Sequence, residues 1–291
     1  MGYSARVSLL GIFGRPFVDL SPLLDLSGLA DVHEEICLAL AKMPVDYTGG
    51  SHRSMGIMPK GREAEALADY GEVIRAMTDA EWETFRGLSD TEVPTDARAS
   101  GEFGEERDHP LSRRQMLWLK IRFGVYFPWK AYVELIPNRT WKEKSDAVGK
   151  DFTARAKTFF PKTIAFIRSL PFSQIGRANI MGLEANDHGT LHRDGEPADQ
   201  TAPDHFITLC PANDKRLYVW AEDTQQKTFV AGRAVWFNDF DFHGVDAEPH
   251  FRYSLRVDGV FQPDFLARVE RACQLTDARP RPPGPDAEVS Q

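Results

Sequence analysis

A succession of short apolar segments between residues 174 and 261 limits the fold of this chain more than any other feature. The segments either alternate between apolar and polar residues or form short apolar runs. Turn residues separate them at intervals of roughly 8–12 residues, a spacing typical of antiparallel strands in a sandwich or jelly roll. The predicted strands cover residues 177–184, 205–209, 216–220, 228–230, 234–238, 243–245 and 251–260.

The first part of the chain has a helical pattern instead. Residues 31–43 place Val32 and Ile36 at helical spacing, and Asp31 is a suitable N-cap. Pro44 ends this helix because proline lacks the N–H that a helix interior needs. The other predicted helices cover residues 62–77, 79–88, 112–123 and 152–169.

These patterns divide the chain into three segments. Residues 1–173 form a mostly helical region that supports the strands, and residues 174–270 form the core that carries the chemistry. Residues 271–291 form a proline-rich tail, predicted to be disordered because it has few apolar anchors. The expected fold class is therefore α+β, with helices packed outside a closed, jelly-roll (cupin-like) barrel.

Composition excludes several classes of protein. Lys and Arg number 35 and Asp and Glu 43, a net charge of −8, which does not suit sequence-independent binding of nucleic acid. Cys37, Cys210 and Cys273 are too far apart for a CxxC zinc pair. The longest apolar stretch, 116–136, contains charged residues and does not fit a transmembrane helix. Residues 1–20 lack the long apolar segment of a signal peptide. We therefore expect a soluble, cytoplasmic protein with neither a nucleic-acid nor a membrane partner.

The sharpest local motif is His192-Arg193-Asp194. Side chains two residues apart on a strand project to the same side, so His192 and Asp194 could bind one metal ion. His243 follows a later apolar segment and a short turn. Two histidines and one carboxylate form the facial triad of non-haem Fe(II) oxygenases, which leaves coordination positions open. Without His243, the pair would fit equally well a turn aspartate beside a surface histidine.

A second motif lies on the last predicted strand. Residues 251–257 (FRYSLRV) alternate, so that Arg252, Ser254 and Arg256 share one face and apolar side chains share the other. A buried arginine is costly unless an anion accompanies it. A guanidinium and a hydroxyl on one face suit a bound carboxylate. The alternative is an edge strand with a solvated cationic face.

In this order, the motifs resemble those of the Fe(II)/2-oxoglutarate-dependent dioxygenase superfamily, whose fold is a double-stranded β-helix. The resemblance covers about residues 174–261. Residues 182–194 resemble the segment before HxD in prolyl-hydroxylase-like members, and residues 237–243 resemble the turn before the distal histidine in these and in aspartyl-hydroxylase-like members. It implies that His192, Asp194 and His243 bind Fe(II) and are the catalytic centre. Aspartyl-hydroxylase-like members usually lack the aspartate ligand, so Asp194 argues against that branch.

The resemblance also implies positions for the cosubstrate, 2-oxoglutarate. Arg252 and Ser254 would hold its distal carboxylate, with the hydroxyl of Thr208 nearby. Arg256 is the alternative to Arg252 for this role. Arg256 and Arg177 are in addition candidates for binding a carboxylate of the substrate.

The implied activity is hydroxylation with Fe(II), 2-oxoglutarate and O₂, in which 2-oxoglutarate is decarboxylated to succinate. The expected substrate is an unactivated C–H bond of an amino acid or an amino-acid-derived small molecule. Two alternatives remain. One is a peptide or protein side-chain hydroxylase of the same superfamily, and the other is a non-catalytic, cupin-like binding protein.

Overall fold

The predicted α+β class is confirmed, with eight α-helices and two antiparallel sheets in the described residues. The fold is that of a computed structural model. It describes residues 9–43, 57–62, 65, 69–100, 103, 109–128, 131–138, 141–212 and 215–277.

Some of the helices begin at a side chain that caps them. Thr78 and Ser112 accept hydrogen bonds from the backbone N–H groups of Glu81 and Gln115, and both pairs form reciprocal capping boxes. Pro161 begins a separate helix, since proline is tolerated in a first turn. The helices are α1 (Leu29–Lys42), α2 (Gly71–Arg75), α3 (Asp79–Gly87), α4 (Ala97–Ser100), α5 (Arg113–Phe123), α6 (Ala154–Phe159), α7 (Pro161–Ser169) and α8 (Pro263–Asp277).

The larger sheet has six strands in the order β1-β8-β5-β10-β3-β2. Its strands are β1 (Phe17–Asp19), β2 (Ala131–Ile136), β3 (Phe172–Leu183), β5 (His205–Leu209), β8 (Ala234–Phe237) and β10 (Arg252–Phe261). The ladder between β10 and β3 is the longest, and it runs from Arg252 opposite Leu183 to Phe261 opposite Phe172. Apolar side chains of α1, α7 and α8 belong to the same buried cluster as those of this sheet.

The smaller sheet has four strands in the order β4-β9-β6-β7. They are β4 (Gly189–His192), β6 (Leu217–Ala221), β7 (Gln226–Phe229) and β9 (Phe242–Val245). From β3 to β10 the chain passes back and forth between the sheets, and only the β6–β7 hairpin stays in one sheet. The predicted closed barrel is corrected by this arrangement, because the described strands are hydrogen-bonded as two separate sheets.

The region of residues 1–173 contributes strands as well as helices. β1 pairs with β8, and β2 pairs with β3, so both extend the larger sheet. The last residues of the apolar stretch 116–136 form β2. Nearly every residue of β2 is buried, and the strand therefore lacks the polar alternation that identifies a half-exposed strand.

A second, smaller core lies in the helical region between residues 57 and 127. Its largest buried side chains are Tyr70, Trp82, Phe85, Phe103 and Phe127. Tyr126 joins this region to the loop before β4. Its hydroxyl donates to the carbonyl oxygen of His188 at 2.8 Å, and the two rings stack with centroids 4.8 Å apart.

Helix α8 follows the last strand of the larger sheet. Phe265, Val269 and Cys273 are buried at four-residue spacing, so this side of the helix packs against the core, and the helix ends at Asp277. The predicted tail from residue 271 therefore overlaps the end of this helix, and its remainder, 278–291, lies outside the described residues. Among the residues that the structure describes, none of the helices has both the length and the apolar character that a membrane span requires.

Candidate metal centre

Two neighbouring strands bring His192, Asp194 and His243 together. His192 ends β4 and lies opposite His243 of β9, and Asp194 follows β4. Oδ1 of Asp194 is 3.5 Å from Nε2 of His192 and 3.9 Å from Nε2 of His243. The three possible ligand atoms all lie within 4.8 Å of one another, so they could hold one metal ion.

Backbone carbonyls fix the tautomer of both imidazoles. Nδ1 of His192 is 2.7 Å from the carbonyl oxygen of Thr190, and Nδ1 of His243 is 2.9 Å from that of Asp241. A carbonyl oxygen can only accept a hydrogen bond, so Nδ1 carries the proton in each ring and Nε2 keeps its lone pair. Two such nitrogens beside one carboxylate oxygen are a donor set that fits Fe(II).

Burial keeps His243 in the protonation state that metal binding requires. Desolvation and the neighbouring His192 lower the pKa of His243 to about 4, although Asp194 opposes the shift. His243 is therefore neutral at neutral pH, as a metal ligand must be. The side chains of His192, Asp194 and His243 are 11%, 6% and 8% exposed, so the centre is largely shielded from water.

A cavity between the two sheets includes the three ligands and a buried polar pair. Lys215 Nζ donates to Ser254 Oγ at 2.5 Å. An ammonium beside a hydroxyl suits a carboxylate ligand. Thr208 also lines the cavity, as the resemblance implies, and so does Arg256, as the alternation on its strand predicts. The rest of its wall is mainly apolar or small: Met181, Gly189, Leu217, Phe237, Gly244 and Val245.

Arg252 is directed at loops rather than at this cavity. Its guanidinium donates to the carbonyl oxygens of Glu184 at 3.1 Å, Asp187 at 2.5 Å, Asp246 at 2.7 Å and His250 at 3.3 Å. These carbonyls belong to the loops before β4 and β10. The structure therefore places Arg252 as a tie between two loops.

Arg256 and Arg177 are both paired with buried carboxylates. Nη2 of Arg256 lies 2.6 Å from Oδ2 of Asp239 and 2.9 Å from Oδ1 of Asp258, and Nη2 of Arg177 lies 2.9 Å from Oδ2 of Asp258. Burial opposes ionisation of Asp258, but the two guanidinium groups outweigh it and lower the pKa of Asp258. The positive charges predicted for a substrate carboxylate are thus balanced inside the protein.

Sequence reasoning missed Lys215 and Asp239. Lys215 precedes β6, and the available signal was a lysine two residues before Leu217, which faces the same cavity. Asp239 lies in the turn between β8 and β9 and is fully buried. Its signal was an acidic residue between an apolar strand and His243, where a solvated turn residue is the ordinary interpretation.

No protein-family model matches the chain, and no curated protein matches it. Solved structures similar to it include a 2OG-Fe(II) oxygenase family protein and prolyl hydroxylases. An oxidoreductase of the 2OG-Fe(II) oxygenase family from Burkholderia pseudomallei is 13% identical, with 45% of this chain and 70% of that chain covered and a TM-score of 0.28. A Pseudomonas putida prolyl-4-hydroxylase is 11% identical, with 80% and 99% covered and a TM-score of 0.26.

A prolyl hydroxylase from Trichoplax adhaerens, solved with a hypoxia inducible factor peptide fragment, is 8% identical. It covers 84% of this chain and 94% of its own, with a TM-score of 0.28.

Proposed function

We propose that the chain is a non-haem Fe(II)/2-oxoglutarate-dependent oxygenase that hydroxylates an unactivated C–H bond of an amino acid or an amino-acid-derived small molecule. The observation that carries this proposal is the buried cluster of His192, Asp194 and His243, with the proton of each ring held on Nδ1. A two-histidine, one-carboxylate set leaves adjacent positions for a cosubstrate and O₂.

The strand order supports a finer description of the fold as well. Successive strands from β3 to β10 alternate between the two sheets, apart from one hairpin. This alternation is the winding of a jelly roll, or double-stranded β-helix. We infer that the two sheets enclose the cavity in this way, with the metal ligands on the smaller sheet.

Lys215 and Ser254 are the proposed anchor for the distal carboxylate of 2-oxoglutarate. Both line the cavity that contains the metal ligands, and Lys215 donates to Ser254 there. A charge-assisted bond from an ammonium with a second donor beside it suits a carboxylate. Lys215 thus replaces Arg252 in the role that the resemblance implies, because the guanidinium of Arg252 donates to four carbonyl oxygens instead.

When bound, Fe(II) supplies the one-electron chemistry with O₂ that hydroxylation of a C–H bond requires. The chain itself keeps His243 neutral, directs Nδ1 of both rings at backbone carbonyls, holds the carboxylate of Asp194 beside them and limits the access of water. The exposed fraction of each ligand side chain is small, which favours a small substrate over the surface of a folded protein.

The test uses the full chain, loaded with Fe(II) without oxygen and then given O₂ and 2-oxoglutarate. Succinate release is measured over a panel of amino acids and short peptides. His192→Ala and His243→Ala should lose both Fe(II) binding and succinate release. His33→Gln is the control, because His33 lies on α1 and contacts Tyr253 rather than the cavity.

Wild-type Fe(II) stoichiometry in both alanine variants would remove the metal assignment. Succinate release by the wild type only with peptides, and not with amino acids, would favour the side-chain hydroxylase. Fe(II) binding without any 2-oxoglutarate turnover across the panel would support the non-catalytic binding protein instead.

A further inference from the structure

The two carboxylate oxygens of Asp194 face different partners. Oδ1 faces Nε2 of His192 and of His243, at 3.5 Å and 3.9 Å. Oδ2 faces Nη1 of Arg256 at 3.6 Å, which is an ion-pair distance. A carboxylate held in this orientation offers one oxygen to a metal ion and keeps the other beside a cation.

Arg256 is itself held on several sides. Nη2 lies 2.6 Å from Asp239 Oδ2, and Nε donates to Asp258 Oδ1 at 2.9 Å. The guanidinium carbon lies 3.8 Å from the centre of the Phe206 ring. A planar guanidinium with two carboxylates at its edge and a ring against its face has little freedom to rotate. Nη1 therefore stays directed at Asp194.

Asp239 supports the same ligand through the backbone. Its carbonyl oxygen accepts a hydrogen bond from the N–H of Asp194 at 2.8 Å. Its carboxylate accepts from Arg256 at 2.6 Å and from Lys144 at 2.7 Å. The turn that contains Asp239 also supplies the carbonyl that fixes His243. This turn thus connects the ionic cluster to two metal ligands, through the backbone of Asp194 and through the ring of His243.

We propose that Arg256 and Asp239 are positioning residues that fix Asp194 for metal binding, rather than residues that bind substrate. Arg256 holds the carboxylate in its rotamer, and Asp239 holds the backbone from which that carboxylate projects. The inference rests on the metal site of the proposed function, and it does not depend on the cosubstrate or the substrate.

Arg256→Lys and Arg177→Lys form a matched pair of variants. Both replace a buried guanidinium of one ionic cluster with an ammonium, but of the two arginines it is Arg256 that faces Asp194. The full chain is titrated with Co(II) in the absence of 2-oxoglutarate. Arg256→Lys should bind Co(II) about 10- to 100-fold more weakly, as expected when a group supporting a metal ligand is lost.

The visible absorption spectrum of bound Co(II) should also change in Arg256→Lys, since the carboxylate of Asp194 can turn. Arg177→Lys should keep the affinity and the spectrum of the wild type. The melting temperature of the metal-free protein should fall in both variants, because both disturb the same buried cluster. A purely structural role for Arg256 would affect the melting temperature alone.

Asp239→Asn carries the test if Arg256→Lys does not unfold cooperatively. It retains the backbone bond to Asp194 and removes the charge that holds Arg256, so Co(II) should again bind more weakly. Wild-type affinity and spectrum in the folded variants, or equal losses in Arg256→Lys and Arg177→Lys, would overturn the positioning role. Absence of Co(II) binding by the wild type would overturn the metal site itself.

Discussion

Two buried arginines of strand β10 have neighbours of opposite kinds. At its start, Arg252 donates to neutral carbonyl oxygens from two loops. Four residues along the same face, Arg256 lies among the carboxylates of Asp194, Asp239 and Asp258. Both guanidinium groups are almost fully buried. The same side chain on the same face thus ties loops together at one end and anchors an ionic cluster next to the metal ligands at the other.

The contrast follows from what each position meets. A strand end meets loop backbone, whose carbonyl oxygens need donors, and arginine can supply several at once. The middle of β10 meets side chains of β5, β3 and the turn before β9, and there the charge of Arg256 requires ionised partners. Charge compensation therefore distinguishes the two regions more than burial does.

The largest effect is expected where charge is balanced by charge. Asp258→Ala removes the carboxylate that Arg177 and Arg256 share. Breaking a buried ion pair lowers the free energy of unfolding by about 3–5 kcal/mol. Urea denaturation measures this loss. The control is Asp246→Asn, which removes a partly exposed pair with Lys227 worth less than about 1 kcal/mol. Equal losses in the two variants would abolish the distinction.

A smaller effect should separate the cosubstrate anchor from the loop tie. Lys215→Met should weaken 2-oxoglutarate binding about 10- to 100-fold, since a hydrogen bond to a charged group contributes about 1.5–3 kcal/mol. Arg252→Met should lower the stability and leave this affinity close to that of the wild type. Calorimetry of both variants with Mn(II), compared with their urea denaturation, makes the measurement.

The opposite pattern, with affinity lost in Arg252→Met and kept in Lys215→Met, would return the carboxylate to Arg252. If neither variant changes the affinity, the cavity does not hold 2-oxoglutarate through either residue. The non-catalytic binding protein would then be the better account of the cavity.

The smallest effect concerns pH and a histidine outside both arginine clusters. His205 stacks on Phe261 and its Nδ1 accepts the N–H of that residue at 3.1 Å. Burial lowers the pKa of His205, although Asp204 opposes the shift. As the pH falls below about 6.5, His205 is protonated in the unfolded chain before it is protonated in the folded protein. The free energy of unfolding therefore decreases as the pH falls, until His205 is protonated in the folded state too.

His205→Asn offers an oxygen in place of Nδ1 but does not titrate, so it should flatten part of this fall. The free energy of unfolding is measured from pH 8 to pH 5. His243, whose pKa is also lowered, contributes to the slope that remains in the variant. An unchanged slope in His205→Asn would show that His205 contributes nothing to it.

Much of the candidate site could be predicted from short-range sequence patterns. The β10 alternation placed Ser254 and Arg256 on the cavity wall, and the spacing of His192 and Asp194 placed them near His243. These depend on the two-residue period of a strand, which a sequence displays directly. Strand β2 was missed because it is buried on both faces and shows no such period.

The sequence by itself determined the α+β class, the region of short strands and the group of His192, Asp194 and His243. The tertiary structure alone decided which cation stands beside Ser254 and which residues surround each arginine. Lys215 and Asp239 lie outside the strands, and their partners Ser254 and Arg256 are 39 and 17 positions away in the chain. Side-chain periodicity describes neighbours within one strand, whereas a buried charge is compensated by whatever the packing of two sheets brings beside it.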